Sequence, residues 1–77
     1  MIILNDDFTT FEFVIMVMMT VFQKTLAEAE EIAETTHIHQ KSSVGVYPLD
    51  IARSKVAKAT EMARAEKFPL RFEILPE

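Results

Sequence analysis

From Phe13 to Phe22 a single polar residue, Thr20, interrupts an otherwise apolar run. A run of this kind cannot stay in water, so the rest of the chain has to cover it. It is shorter than the roughly 20 apolar residues that a bilayer span requires, which makes it a buried helix and not a membrane segment. The chain has 77 residues, enough for one small domain spanning 1–77. A domain of this size buries only about 60% of its chain surface, so there is room for one core, with this helix at its centre.

The flanking residues fit that reading. Met1-Ile2-Ile3-Leu4 reads as a short buried strand ended by the polar Asn5-Asp6-Asp7. Thr9-Thr10-Phe11-Glu12 has the form of a capping box, with the Thr9 hydroxyl on the Glu12 amide, and predicts a helix from about Thr10 to Phe22. Thr25-Leu26-Ala27-Glu28 repeats the signature and opens a second helix. Leu26, Ala29, Ile32, Ala33, Thr36 and His37 recur on one face of it, while Glu28, Glu30, Glu31 and Glu34 fall mostly elsewhere and should be solvated.

Ser42 to Tyr47 reads as a second strand, with Val44 and Val46 on one side and the lone glycine, Gly45, on the other. A glycine there marks a bend or a close approach. Pro48 suits the start of a third helix, whose thin stripe of Ala52, Val56, Ala59 and Ala63 permits close packing on a sheet. Phe68-Pro69 breaks that helix, and Leu70, Phe72 and Ile74 alternate with Arg71 and Glu73 as in a half-buried strand. The order β-α-α-β-α-β predicts a two-layer α+β domain, with three helices against a three-stranded antiparallel sheet.

Composition narrows the function. Without cysteine there is no disulfide framework and no thiol chemistry, which mildly favours a reducing compartment. A formal net charge of −4 sets a nucleic-acid role at a disadvantage, and Lys55, Lys58 and Arg64 read as surface charges. Met1 leads directly into an uncharged strand-like run, so no signal peptide is expected. His37 and His39 stand two apart near a helix end and would need Asp6 or Asp7 as a third ligand, so neither a dedicated metal site nor a cofactor is expected. Asp7 and His37 have no nucleophile to activate, because Ser42 and Ser43 lie in a strand without an elbow motif; the chain is not expected to be an enzyme. The polar cluster Asn5-Asp6-Asp7, two carboxylates and an amide at a strand end, is a ready acceptor site for a small cation.

Asn5-Asp6-Asp7-Phe8-Thr9 followed by Glu12-Phe13-Val14 resembles the NDD(Y/F)TPMEFV signature of the ClpS adaptor family. The resemblance continues through His37, Gly45-Val46-Tyr47, Lys55-Val56 and Phe68-Pro69-Leu70, essentially the whole chain. It implies a non-enzymatic adaptor of the bacterial cytoplasm or the plastid stroma. Such adaptors bind the N-terminal Leu, Phe, Tyr or Trp of N-end rule substrates and hand them to the ClpA or ClpC unfoldase of the Clp protease. It further implies that Asn5, Asp7 and His37 bind the substrate α-amine, with Asp6 supporting the electrostatics or binding through water. A pocket walled by Thr9, Phe11, Val14, Ala33, Thr36 and Leu70 would take the side chain, and Asp50 and Lys55 would contact the unfoldase.

The chemistry of these residues suits that role. A free α-amine is mostly cationic at neutral pH and offers three donors, where an internal peptide nitrogen offers one and no charge. A neutral imidazole can accept one of those protons; a protonated one would repel the ligand. The sequence also departs from the family's usual pattern. Phe11 and Ala33 stand where Met is common and Thr36 where Val is common, which implies an altered side-chain preference. Met16 and Met19 occupy places that are usually polar, and either extend an apolar partner surface or add to the core. Asp50 stands for the usual glutamate. Family members carry an N-terminal tail that matters for delivery, and this chain has almost no residues before its first strand, so binding is better supported than delivery. The competing reading is a protein-interaction domain of ribosomal-stalk-like topology, which would not need Asn5, Asp7 and His37 to converge.

Overall fold

The first strand is the middle one. In the computed structural model, which describes residues 1–75, β1 (Ile2–Leu4) pairs antiparallel with β2 (Lys41–Ser43) on one side and β3 (Arg71–Glu73) on the other. Ile3 lies opposite both Ser42 and Phe72. Directly opposed residues share a face of a sheet, so these three point to the same side. Ile3 and Ser42 are buried and Phe72 half-buried, whereas Lys41, Ser43, Arg71 and Glu73 are exposed. One face therefore carries the core and the other is solvated, as antiparallel sheets allow. The three helices complete the two-layer α+β fold expected from the sequence.

The apolar run forms α1 (Phe11–Thr20), with Phe13, Val14, Val17 and Met18 buried. Its start differs from the expectation. The cap is Thr10, whose hydroxyl accepts from the Phe13 amide at 3.1 Å. The Thr9 hydroxyl instead donates to the Asp6 carboxylate at 2.6 Å. That bond turns the Thr9 side chain toward Asp6, and the hydroxyl that caps the helix is the one a residue further on. The helix also ends earlier than expected, before Val21 and Phe22, which are both buried. Gln23 takes a left-handed conformation (φ 56°), and the Lys24 amide reaches back to the Met18 carbonyl at 3.0 Å. Met16 and Met19 are exposed, on the side away from the buried Met18.

α2 (Leu26–His39) opens with the expected capping box: the Glu28 amide donates to the Thr25 hydroxyl and the Thr25 amide to the Glu28 carboxylate. Ala29, Ala33 and Thr36 are buried and Ile32 packs against the core. Leu26 and His37, predicted on the same face, are exposed. Leu26 is the first residue of the helix, and His37 faces the loop after β1, where it lines a cavity described below.

β2 is shorter than predicted and begins one residue earlier. Past the end of β2 the Val44 amide still donates to the Met1 carbonyl at 2.9 Å, and the Met1 ammonium donates, also at 2.9 Å, to the carbonyl of Gly45. Its φ of 155° favours glycine, and an added Cβ would meet the Tyr47 ring at 3.2 Å. Val44 is buried while Val46, expected beside it, is 77% exposed. α3 (Leu49–Ala65) follows Pro48 and buries Ala52, Ala59 and Ala63, with Val56 and Met62 partly covered. Ile3, Val17, Met18 and Leu70 are the largest fully buried side chains, and Phe13 meets Phe68 edge-on at 5.1 Å.

Two ionic contacts hold the connections. Lys55 on α3 donates to the Val21 carbonyl at 2.8 Å, with its ammonium over the Tyr47 and Phe22 rings at 5.6 and 5.9 Å. It thereby clips α3 to the end of α1. The loop between β1 and α1 is folded around Asp6. One oxygen accepts from the Phe8 and Thr9 amides (2.8 and 2.7 Å), and the other takes the Thr9 hydroxyl. Burial by itself would raise the Asp6 carboxyl; these three donors, helped by the charge of Arg64, outweigh it and hold it below its ordinary value.

Both contacts predict measurable changes. Lys55→Met keeps the apolar stem and removes the ammonium, leaving the Val21 carbonyl without that donor. It should lower stability to urea by about 1–2 kcal/mol, and unchanged unfolding would dismiss the clip. A depressed carboxyl stabilises the fold fully above the ordinary aspartate value, about 4, and that stabilisation is lost as pH falls through the lowered value. The stability gap between the wild type and Asp6→Ala should therefore be about 1–2 kcal/mol at neutral pH and close in strong acid. A gap that stays constant with pH would show that the carboxylate charge is not what folds the loop.

Candidate functional site

The loop after β1 and the last turn of α2 meet around a cavity of about 410 Å³ lined by Asn5, Asp6, Asp7, Thr9, Phe11 and His37. Two stretches at least 26 positions apart in sequence (Phe11 to His37) thus converge on one hollow. They are joined there by backbone, since the Asn5 amide donates to the Gln40 carbonyl at 2.9 Å.

Three consecutive polar residues meet three different fates in this loop. Asp6 is engaged by the loop's own donors, as described above. Its neighbour Asp7 is exposed, and its carboxylate has no hydrogen-bond partner among the described residues. Asn5 is half-buried, and its side-chain nitrogen donates to the Gln40 side-chain oxygen at 3.2 Å. That leaves the Asn5 carbonyl oxygen free to accept. Gln40 caps α2 in a left-handed conformation (φ 70°), and its own side-chain nitrogen donates to the His37 carbonyl at 3.3 Å. The His37 imidazole is exposed and makes no hydrogen bond among the described residues. Asn5, Asp7 and His37 therefore bring an amide oxygen, a carboxylate and an imidazole to the same cavity. That set can receive a compact cation carrying several N–H donors.

The apolar wall divides. Thr9 and the 46%-exposed Phe11 line the cavity. Val14, Ala33, Thr36 and Leu70 are all buried and are not among its lining residues; Val14, Ala33 and Leu70 belong to the core cluster. The Thr36 hydroxyl is satisfied by the Ile32 carbonyl at 2.7 Å. Asp50 is exposed in the first turn of α3, between the exposed Leu49 and Ile51. Lys55 is half-buried on the same helix, with its ammonium already engaged. Among the described residues no group of three or more His, Asp or Glu side chains is placed to hold a metal ion. No described helix is long and apolar enough to cross a membrane.

Sequence reasoning missed Gln40 and the charge of Arg64 near Asp6. Nothing local could have revealed the Asn5–Gln40 contact, because it exists only once β1 and β2 pair.

Comparison with known proteins identifies the family. The family model described as ATP-dependent Clp protease adaptor protein ClpS matches residues 1–73. The ATP-dependent Clp protease adapter protein ClpS of Acetivibrio thermocellus is 49% identical over 76 residues, 99% of this chain and 77% of that protein. Its counterpart in Nautilia profundicola is 45% identical over 69 residues, 90% of this chain and 71% of that one. The solved structure of Agrobacterium tumefaciens ClpS2 bound to L-phenylalaninamide superposes with a TM-score of 0.93 at 36% identity, covering 99% of this chain and 92% of that one. The chain belongs to the ClpS family, the adaptors of the ATP-dependent Clp protease.

Proposed function

We propose that this adaptor binds the free α-amine and large apolar side chain of a substrate's first residue, and presents the substrate to a ClpA- or ClpC-type unfoldase in the cytoplasm. The observation that carries the reading is the meeting of Asn5, Asp7 and His37 on one cavity beside Thr9 and Phe11. The ligand of the Agrobacterium protein has the matching chemistry: L-phenylalaninamide offers a free amine, an aromatic side chain and, like the first residue of a peptide, no carboxylate.

In this reading the Asn5 oxygen, the Asp7 carboxylate and a His37 ring nitrogen each accept one hydrogen bond from the ammonium. Charge-assisted bonds of this kind contribute roughly 1.5–3 kcal/mol each. Asp6 adds negative potential, while its hydrogen bonds keep Asp7 and Thr9 in place. Burying a Leu or Phe side chain adds roughly 1.5–3 kcal/mol, enough to favour large apolar residues over small polar ones. The role is one of binding, with no bond made or broken. Asp50, framed by exposed Leu49 and Ile51 and with Lys55 further along the helix, is the surface we assign to the unfoldase.

The reading is tested with a fluorescent peptide that starts with Phe. Anisotropy should show binding that weakens at least about 100-fold when the N-terminus is acetylated, since acetylation removes the charge. Binding indifferent to acetylation would favour a general interaction domain, and appearance of product would favour a hydrolase. His37→Ala should weaken binding of the free-amine peptide about tenfold, and unchanged affinity would remove His37 as an acceptor.

Phe11 stands at the cavity wall as a rigid ring, where a methionine would adapt its shape. Phe11→Met should shift competition among Phe-, Leu-, Tyr- and Trp-starting peptides toward the larger side chains. An unchanged ranking would show that Phe11 does not set the preference.

A further inference from the structure

We propose that Gln40 is a positioning residue that sets the polarity of the amine site by orienting the Asn5 side chain. The proposal rests on the reading of Asn5 as an acceptor for an α-amine. A carboxamide is nearly symmetric in shape but not in charge: one end accepts and the other donates. Asn5 serves a cation only if its oxygen faces the cavity. Turned over, the same side chain would aim N–H groups at an ammonium and repel it. Something must therefore decide which way the amide points.

The structure contains a chain of contacts that decides it. A backbone carbonyl can only accept, so the His37 carbonyl fixes the Gln40 side-chain nitrogen toward itself (3.3 Å). The Gln40 oxygen is then the end turned to Asn5. An oxygen can only receive a donor, so Asn5 offers it its nitrogen (3.2 Å). The remaining end of Asn5 is the oxygen, on a side chain that lines the cavity. The polarity of one fixed carbonyl is thus passed through two amides to the binding site, and the relay starts at His37, which itself lines the site. The backbone anchors the relay independently, through the Asn5 amide on the Gln40 carbonyl at 2.9 Å.

The backbone of Gln40 makes the proposal testable. Its φ of 70° is one that glycine adopts freely and glutamine does not. Gln40→Gly therefore removes the relay, keeps the backbone bond and relieves the conformation. The variant should melt at or above the wild-type temperature. It should nevertheless bind a free-amine, Phe-starting peptide roughly three- to tenfold more weakly, the worth of one lost neutral hydrogen bond. In an Asn5→Ala background the same substitution should change affinity no further, because there is no amide left to orient. The free protein gives a separate readout: the Asn5 side-chain NH2 signals in 1H–15N spectra should move toward those of an unbonded asparagine in Gln40→Gly.

Wild-type affinity in Gln40→Gly, an undiminished effect in the Asn5→Ala background, or unmoved Asn5 signals would each overturn the relay. If the wild type binds free and acetylated peptides alike, the amine reading falls instead, and the spectra still decide whether Gln40 orients Asn5.

Discussion

The carboxylate of Asp6 is the contact on which the site depends. A strand cannot pass directly into a helix packed against its own sheet; the chain must reverse, and the reversing residues lose their ladder partners. Asp6 supplies replacement acceptors for the Phe8 amide, the Thr9 amide and the Thr9 hydroxyl. The loop is thus folded around a charge it generates itself, as aspartates do in short turns. Asp7 is left pointing elsewhere as a consequence. With Asp6 enclosed by donors, the next residue in the chain is the carboxylate still available to a ligand. Adjacent identical side chains are thereby divided into one that holds the loop and one that faces outward.

The same division explains where the sequence misled. Thr9-Thr10-Phe11-Glu12 satisfies the capping-box pattern at Thr9, and the pattern has no way to register a carboxylate three residues upstream. With the Thr9 side chain turned toward Asp6, Thr10 carries the cap. At Thr25 nothing of the kind precedes the box, and the pattern held. Strand β2 failed for a related reason. Val44 and Val46 alternate as a strand should, but β2 ends at Ser43 and Val46 has no strand beside it, so its alternation has no register to report.

The element order, the central α1, the alanine stripe of α3 and the alternation of β3 were legible because hydrophobic periodicity is a property of neighbours in sequence. The polar half of the candidate site was legible from the ClpS-like residues to the extent that Asn5, Asp7 and His37 share a cavity. The apolar half was less so. Val14, Ala33, Thr36 and Leu70 are buried, and whether a helical residue faces the core or a neighbouring hollow is a matter of a fraction of a turn. Periodicity does not resolve that distinction. Gln40 lay beyond sequence reasoning altogether, because its partner is reached only through strand pairing.

With a single glycine in the chain, each helix end has to be turned by something else. Gln23, Gln40 and Lys67 do so after α1, α2 and α3, with φ of 56°, 70° and 62°. Left-handed backbone at a residue with a Cβ costs roughly 1–2 kcal/mol, which glycine avoids. The side chains of Gln23 and Lys67 make no hydrogen bonds among the described residues; there the turn is held by backbone bonds, from the Lys24 amide to the Met18 carbonyl and from the Phe68 amide to the Ala63 carbonyl. At Gln40 the side chain reaches both Asn5 and His37, contacts that a glycine cannot make. The left-handed turn is therefore held by backbone alone at two helix ends and tied by its side chain to the cavity at the third, and that tie falls on the helix whose last turn carries His37.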